Sequence, residues 1–519
     1  MKNIFLNIRR FLKVLFCIVL FTSCTKNYSK INIDTNSIAT IGSAEIPFLF
    51  SAALESVPIG GQTAENLFAD QYAQYFACIA TYFPTDRLII RTDWAQTSFD
   101  PIYVNVMPQL RTIFENTDST SSQYALANIW WVYAFHRVTD YWGPIPYFDA
   151  GKPGTSVPYD SQDKIYDDFF KRLDAAVTVL KGKTNEHPFG AYDLIYKGDV
   201  NKWIKFANTL RLRLAMRISN VNPALAKVEG EAAFAGGVFT NSPDDDALLQ
   251  KNLKDINPIS QMSEWNEFRM SASMESVLKG YGDPRISIYF IPTVNTGTYE
   301  GLRNGLSTTQ LSLDVNKKNA NSHVGPRWTS PASGGIANYL STSLNVMCTA
   351  EAYFLRAEGA LRGWNMGGNA KVLYEAGITN SMTQWGILDN TIIQAYINST
   401  AIPIAPGDYL QSPPLANVPV KFNTSDGNIQ LEQIAIQKWL ALFPDGVEAW
   451  ADYRRSRSFI LYPVANSDNL DITNTSTQWI RRITFLLSEK ISNGAAVNKA
   501  VQLLGGPDKI TTPLWWDKN

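Results

Sequence analysis

The chain has 519 residues, with 46 Lys and Arg against 47 Asp and Glu, for a formal net charge of −1. It is 45% hydrophobic and 18% charged, which excludes an intrinsically disordered chain. A near-neutral balance argues against nucleic acid as a partner, because nucleic acid needs a basic face.

The first segment is an export address. Lys2, Arg9, Arg10 and Lys13 make a basic leader without an acid. Val14 to Phe21 is a short apolar core, and the small residues Thr22 and Ser23 precede Cys24. This order predicts a signal peptide over 1–23. The apolar core is too short to span a bilayer, which needs roughly 20 residues. The small-small-Cys ending resembles the bacterial lipobox, which makes Cys24 the expected lipidation site. Two or more acyl chains hold a protein to a membrane where one barely does. Residues 24–36 are then the lipidated cysteine and a polar tether, and 37–519 a single large domain. Without the leader the chain keeps 42 basic against 47 acidic residues, a formal charge of −5.

Next comes TYFPTDRLIIRTDWAQTSFDP (81–101), a loop after the first clear helix. It combines aromatic Tyr82, Phe83 and Trp94 with polar Asp86, Arg87, Arg91 and Asp93. Rings stack on the C–H face of a sugar, and the polar groups hydrogen-bond its hydroxyls. Tyr82, Arg91 and Trp94 are therefore candidate ligand residues. The bland alternative is a loop whose Trp plugs the core.

The middle of the chain is helical by periodicity. In 160–181, Ile165, Phe169, Ala176 and Leu180 share a face, with Asp160 as expected N-cap and Asp163 at N3. In 201–219, Trp203, Phe206, Ala207, Leu210, Leu214 and Ile218 form one stripe, and Arg211, Arg213 and Arg217 lie off it. The run Asp244–Asp246 lacks the spacing of a calcium loop and is expected to be a solvated helix N-terminus. The stretches 236–262, 286–345 and 395–428 are expected to be long and irregular. Within the second, Tyr299, Arg303, Arg327 and Trp328 form another aromatic and basic cluster. Arg303 and Trp328 join the candidate ligand residues.

Helical spacing returns in 350–364, with Ala350, Tyr353, Phe354, Ala357, Ala360 and Leu361 on one face. It returns again in 431–443, which ends at the turn signal FPDG, followed by VEAWADYRRSR. Arg454 and Arg455 are expected to pair with Glu448 or Asp452. Paired amphipathic helices with Ala and aromatic residues at close contacts suggest tetratricopeptide-like hairpins.

Catalytic frames are absent. His136, His187 and His323 lie far apart, and no nucleophile elbow, Walker loop or dinucleotide fingerprint occurs. No zinc spacing is present, so neither a metal nor a cofactor is expected. An enzyme is not expected, although two glycosidase carboxylates leave no linear motif. Beyond Cys17 and Cys24 only Cys78 and Cys348 remain, either one bridge or two buried thiols.

Several long motifs occur in one order: YWGPIPYFDAG (141–151), WIKFANTLRLRLAMRIS (203–219), DPRISIYFIP (283–292), MCTAEAYFLRAEGALRGWNMGG (347–368), YEAGITNSMTQWG (374–386), IAIQKWLALFPDGVEAWADYRRSR (434–457), RRITFLLSEKISN (481–493) and a terminal PLWWDKN. Together they resemble the SusD/RagB family of nutrient-binding outer-membrane lipoproteins, over most of the mature chain. One departure is Phe485 and Leu486, where the family often has Tyr-Pro. The resemblance implies a mostly α fold, with about four tetratricopeptide-like hairpins as scaffold and irregular segments building a ligand face. It implies ligand capture without chemistry, a lipid anchor in the outer membrane, and delivery to a SusC-like TonB-dependent barrel. The implied cargo is an oligosaccharide, or in some members an oligopeptide. A surface glycosidase or an adhesin is the distant alternative.

Overall fold

The computed structural model describes residues 42–154 and 156–519. The signal peptide, Cys24 and the tether lie outside the described residues. The fold is mostly helical. Its principal helices in chain order are α1 (Ile46–Glu55), α2 (Thr92–Pro101), α3 (Met107–Asn116), α4 (Ser122–Trp142), α5 (Gln162–Lys181), α6 (Val200–Arg217), α7 (Pro223–Gly236), α8 (Pro258–Trp265) and α9 (Ala272–Tyr281). Then follow α10 (Thr349–Leu361), α11 (Ala370–Gln384), α12 (Asn390–Ile397), α13 (Gly427–Leu442), α14 (Gly446–Ser456), α15 (Leu487–Ser492) and α16 (Gly494–Leu504). A wider helical coil, Gln62–Asp70, precedes α2.

Four helical hairpins carry the architecture: α4/α5, α6/α7, α10/α11 and α13/α14. Neighbouring hairpins pack through α5 on α6, α6 on α10, and α10 on α13. Residues 47–519 form one compact unit in this way. Small residues let the helices close up. A Cβ on Gly377 of α11 would sit 2.7 Å from the Phe354 ring of α10. A Cβ on Gly230 of α7 would sit 2.6 Å from Trp364. Side-chain caps start the helices: Asp199 accepts from the Asn201 and Lys202 N–H groups at α6, and Asn222 from Leu225 N–H at α7.

The periodic stripe of α6 is buried as expected, but Arg213 and Arg217 are buried too, each 1% exposed. They join a chain of ion pairs through all four hairpins. Arg213 holds Glu351 of α10, and Arg217 holds Glu448 of α14 at 2.6 Å. Arg455 spans Glu358 at 2.6 Å and Asp452 at 2.8 Å, and Lys438 of α13 holds Asp452 at 2.7 Å. The long family-type motifs therefore pay for their burial by pairing charges inside the scaffold. Arg455 pairs as the sequence suggests. Arg454 instead donates to the carbonyls of Trp450, Arg481 and Asp140.

Three antiparallel strand pairs lie among the helices, formed by β1 (Phe76–Cys78), β2 (Ala247–Leu249), β3 (Phe268–Met270), β4 (Phe290–Ile291), β5 (His323–Val324) and β6 (Leu344–Met347). β1 pairs with β3, β2 with β6 and β4 with β5. β2 to β6, with α8, α9 and short helical turns, occupy much of 236–345.

Two local expectations are corrected, and one open alternative is decided. The N-cap of α5 is Ser161, one residue later than expected. Asp160 accepts from the Tyr147 and Phe148 N–H groups instead, tying down the Pro-rich turn after α4. The aspartate run does not open a helix; it leads into β2. Asp245 and Asp246 are buried and accept backbone N–H groups of Thr240, Asn241 and Thr349. Asp246 thereby caps α10 from a distance, where Cys348 supplies no side-chain cap. Cys78 and Cys348 are both buried free thiols, not a bridge.

Candidate ligand-binding surface

β1 delivers the chain into the loop 79–91, and α2 takes it away. The loop is pinned from beneath by Asp86, which is 5% exposed. Its carboxylate accepts from Gly305 N–H and Asn304 Nδ2, both at 2.9 Å. Burial pushes this carboxyl up to about 6, against those hydrogen bonds. A second tie comes from the C-terminal region: Arg87 Nε bonds Asp468 at 2.6 Å, and Asn469 Nδ2 bonds the Leu88 carbonyl at 2.9 Å.

This frame presents an aromatic patch. Tyr82 is 65% exposed and packs its ring 4.6 Å from Phe83. Phe83 meets Trp94 edge-on at 5.6 Å and stacks on Phe268 of β3 at 6.2 Å. The Arg91 guanidinium lies 4.5 Å above the half-buried Trp94 ring. Arg91 is also bidentate to Asp93, at 3.0 and 2.6 Å, with both side chains exposed. Tyr82 Oη donates to Glu267, whose other oxygen takes Gln62 Nε2 at 2.7 Å. The Glu267 bond raises the Tyr82 hydroxyl to about 12. Tyr82, Arg91 and Trp94 are thus brought together around Phe83.

Two contributors were not evident from sequence: Phe268 beneath Phe83 and Glu267 at the rim. They lie just beyond the segment 236–262 that was expected to be irregular. Beside them β3 bounds a polar cavity of about 330 Å³, lined among others by Asn266, Arg269, Asn319, Asn321 and His323. Burial and the Arg269 charge lower His323 to about 4, so its ring is neutral near pH 7. Aromatic patch and polar cavity sit on opposite flanks of one short strand.

The second sequence cluster is corrected. Trp328 is 2% exposed. The turn Pro326–Trp328 tucks its ring 5.8 Å from Trp385 and 5.9 Å from Phe443, inside the core. Arg303 is 6% exposed, donates to Ser412 Oγ at 3.0 Å and to the Pro463 carbonyl at 2.6 Å, and covers Tyr462. Its neighbour Asn304 anchors Asp86. Arg303 is thus engaged with the segments around 412 and 463, away from Tyr82, Arg91 and Trp94 in its contacts. A Trp in a loop rich in Ser, Gly and Pro gives no sign of which way it turns.

Among the described residues no group of three or more His, Cys, Asp or Glu is placed to hold a metal ion. No helix among them is long and apolar enough to cross a membrane.

A helical-hairpin scaffold with a shallow aromatic and polar surface defines a ligand-binding protein of repeat architecture. The chain belongs to the SusD-like family, described as SusD and RagB outer membrane lipoprotein, whose model matches residues 27–517. It is similar to a chitin-binding SusD homologue from Flavobacterium johnsoniae at 36% identity, covering 92% of this chain and 99% of that one, with a TM-score of 0.84. It is similar also to a SusD homologue from Bacteroides vulgatus (31% identity, 91% and 97% covered, TM-score 0.81) and a SusD-like protein from Bacteroides thetaiotaomicron (30%, 91% and 99%, 0.81). No curated protein sequence matches the chain.

Proposed function

We propose that this protein captures an oligosaccharide at the surface built by Tyr82, Phe83, Arg91 and Trp94 and delivers it, without chemical change, to a SusC-like TonB-dependent barrel. Cys24 carries the lipid that anchors it to the outer membrane, with the binding surface facing out of the cell. The observation that carries the reading is the aromatic patch itself. Four rings, one of them 65% exposed, are ringed by a charge pair and a carboxylate. An exposed ring offers a flat apolar face to sugar C–H groups, and the rim offers donors and acceptors to hydroxyls. The 36%-identical chitin-binding relative favours a β-linked N-acetylglucosamine chain as cargo.

Titration calorimetry of the intact chain against chitin, cellulose and starch oligosaccharides and a mixed peptide pool tests this. The expected result is binding of the chitin oligosaccharide, weakened about tenfold or more by Trp94→Ala. Binding of peptides alone would transfer the protein to an oligopeptide-capturing role. Turnover of any bound sugar would make it an enzyme.

A further inference from the structure

Behind the platform loop lies a second cavity, of about 70 Å³. Its floor is formed by Gln71, Tyr72 and Trp450, and one wall by Trp479 and Arg457. Leu88, Leu461 and Val464 supply apolar lining, and the mouth opens beside Ile460, which is 52% exposed. Leu88 belongs to the same loop as Tyr82 and Phe83, so one turn of chain separates cavity from aromatic patch.

The polar atoms of this cavity are unusual. Gln71 is 2% exposed, yet both its amide nitrogen and its amide oxygen lack a hydrogen-bond partner. The Tyr72 hydroxyl and the Trp479 Nε1–H lack one too. Three residues on, Gln74 is fully engaged, donating to the Tyr462 carbonyl at 2.6 Å and accepting from Ser273. A buried polar atom left without a partner is destabilising, so four such atoms around one cavity call for a hydrogen-bonding occupant.

Their chemistry selects it. Gln71 offers a donor and an acceptor side by side, which an incoming amide matches with its own acceptor and donor. Trp479 adds a donor for the carbonyl, and Tyr72 serves either atom. A carboxylate fits badly, because it has no hydrogen for the Gln71 oxygen. A cation fits badly, because the only charged lining residue is Arg457, held 3.9 Å over the Trp479 ring. The space equals about five waters. That is too little for a sugar ring and enough for the few heavy atoms of an acetamido group, whose methyl would meet Leu88, Leu461 and the aromatic wall.

We propose that this cavity is a subsite for an acetamido group, the N-acetyl substituent of an amino sugar in a captured chain. The assignment rests on the glycan reading above and gives the N-acetyl group of that cargo a place in the fold.

Two arms test it on the intact chain. In the first, Gln71→Leu and Trp479→Phe are titrated with chitin and cellulose oligosaccharides, which share a linkage and differ in the acetamido group. The expected result is a preference for the N-acetylated chain that falls about tenfold or more in each variant, with the cellulose oligosaccharide unaffected. Gln71→Leu removes no hydrogen bond within the protein and removes an unpartnered buried amide, so its thermal midpoint should equal or exceed the parent's. An unchanged preference in both variants overturns the subsite and leaves glycan capture standing. In the second arm, crystals are soaked with N-acetylglucosamine and, separately, glucose. An acetamido group between Gln71 and Trp479 supports the subsite even if no oligosaccharide binds in solution, an outcome that would overturn oligosaccharide capture alone. An empty cavity, or one filled equally by glucose, overturns the subsite.

Discussion

Arg213 and Glu351, 138 positions apart in sequence, face each other through two parallel hydrogen bonds, Nε to Oε1 and Nη2 to Oε2, both 2.6 Å. Each side chain is 1% exposed. The pair joins the second hairpin to the third, where an apolar contact would hold but would not fix the register so narrowly.

Removing one partner leaves the other charged and dry. Arg213→Met is expected to lower the unfolding free energy by ~3–5 kcal/mol. Replacing both residues by apolar ones should recover much of that loss. Urea unfolding of the two single variants and the double variant gives the coupling directly. A single-variant cost below about 1 kcal/mol would show the pair to be bystanders.

Trp94 and Trp328 should separate function from stability. Trp94→Ala should weaken ligand and leave the thermal midpoint almost unchanged, since its ring is only half buried. Trp328→Ala opens a cavity between Trp385 and Phe443 and should cost ~3–5 kcal/mol of stability. Calorimetric titration and thermal unfolding of both variants check this. A Trp328→Ala protein of parental stability would contradict the core placement.

Stability should fall as pH rises through neutrality. Glu65 is pushed from its ordinary 4.5 up to about 7, first by burial; Arg137 at 3.0 Å opposes this and the Asp445 charge adds to it. A carboxyl raised in the folded state binds its proton more tightly there than when unfolded. The stabilisation is complete below about pH 4.5 and is lost as pH rises to about 7. Glu448 is raised to about 7 as well, again chiefly by burial. Glu358 works the other way: Arg455, Lys438 and Arg362 overcome its burial and hold it down at about 2, so its contribution is lost as pH falls from 4.5 toward 2. Thermal midpoints should therefore peak near pH 5 and decline toward pH 8, as the unfolding free energy falls by roughly 3 kcal/mol for each of Glu65 and Glu448. Glu65→Gln should flatten the decline, and an unaltered slope would remove Glu65 as its source.

The two described thiols should be silent until the protein unfolds. Burial drives the Cys78 and Cys348 pKa values well up, which suppresses the reactive thiolate. An aromatic disulfide reagent should label neither in the native protein and both in denaturant, and a reductant should leave the thermal midpoint unmoved.

Much of the scaffold was legible in sequence. The α6 stripe from Trp203 to Ile218 and the α10 face from Ala350 to Leu361 give helices because apolar residues recur at the helical period. Turn chemistry at FPDG separates α13 from α14 in the same local way. The patch at 81–101 was legible in part: its aromatic and charged residues stand out, but Thr92–Pro101 folds as α2 and not as the expected loop. Arg213 and Arg217 were legible only as lying off the apolar stripe; that they are buried depends on partners far away in the chain. Trp328 was misjudged: its neighbours are polar, but its ring is not.

The sequence by itself determined what depends on neighbours along the chain: helix periods, turns, and the order of the long motifs that mark the family. Only the tertiary structure decided which charges are buried and which rings are exposed. Arg213 is tolerated inside because Glu351 arrives from 138 residues away. Tyr82 stays outside because Asp86, Asn304 and Asp468 hold its loop in place. Partners so distant in sequence leave no periodic trace, yet they set the free energy of each buried or exposed group.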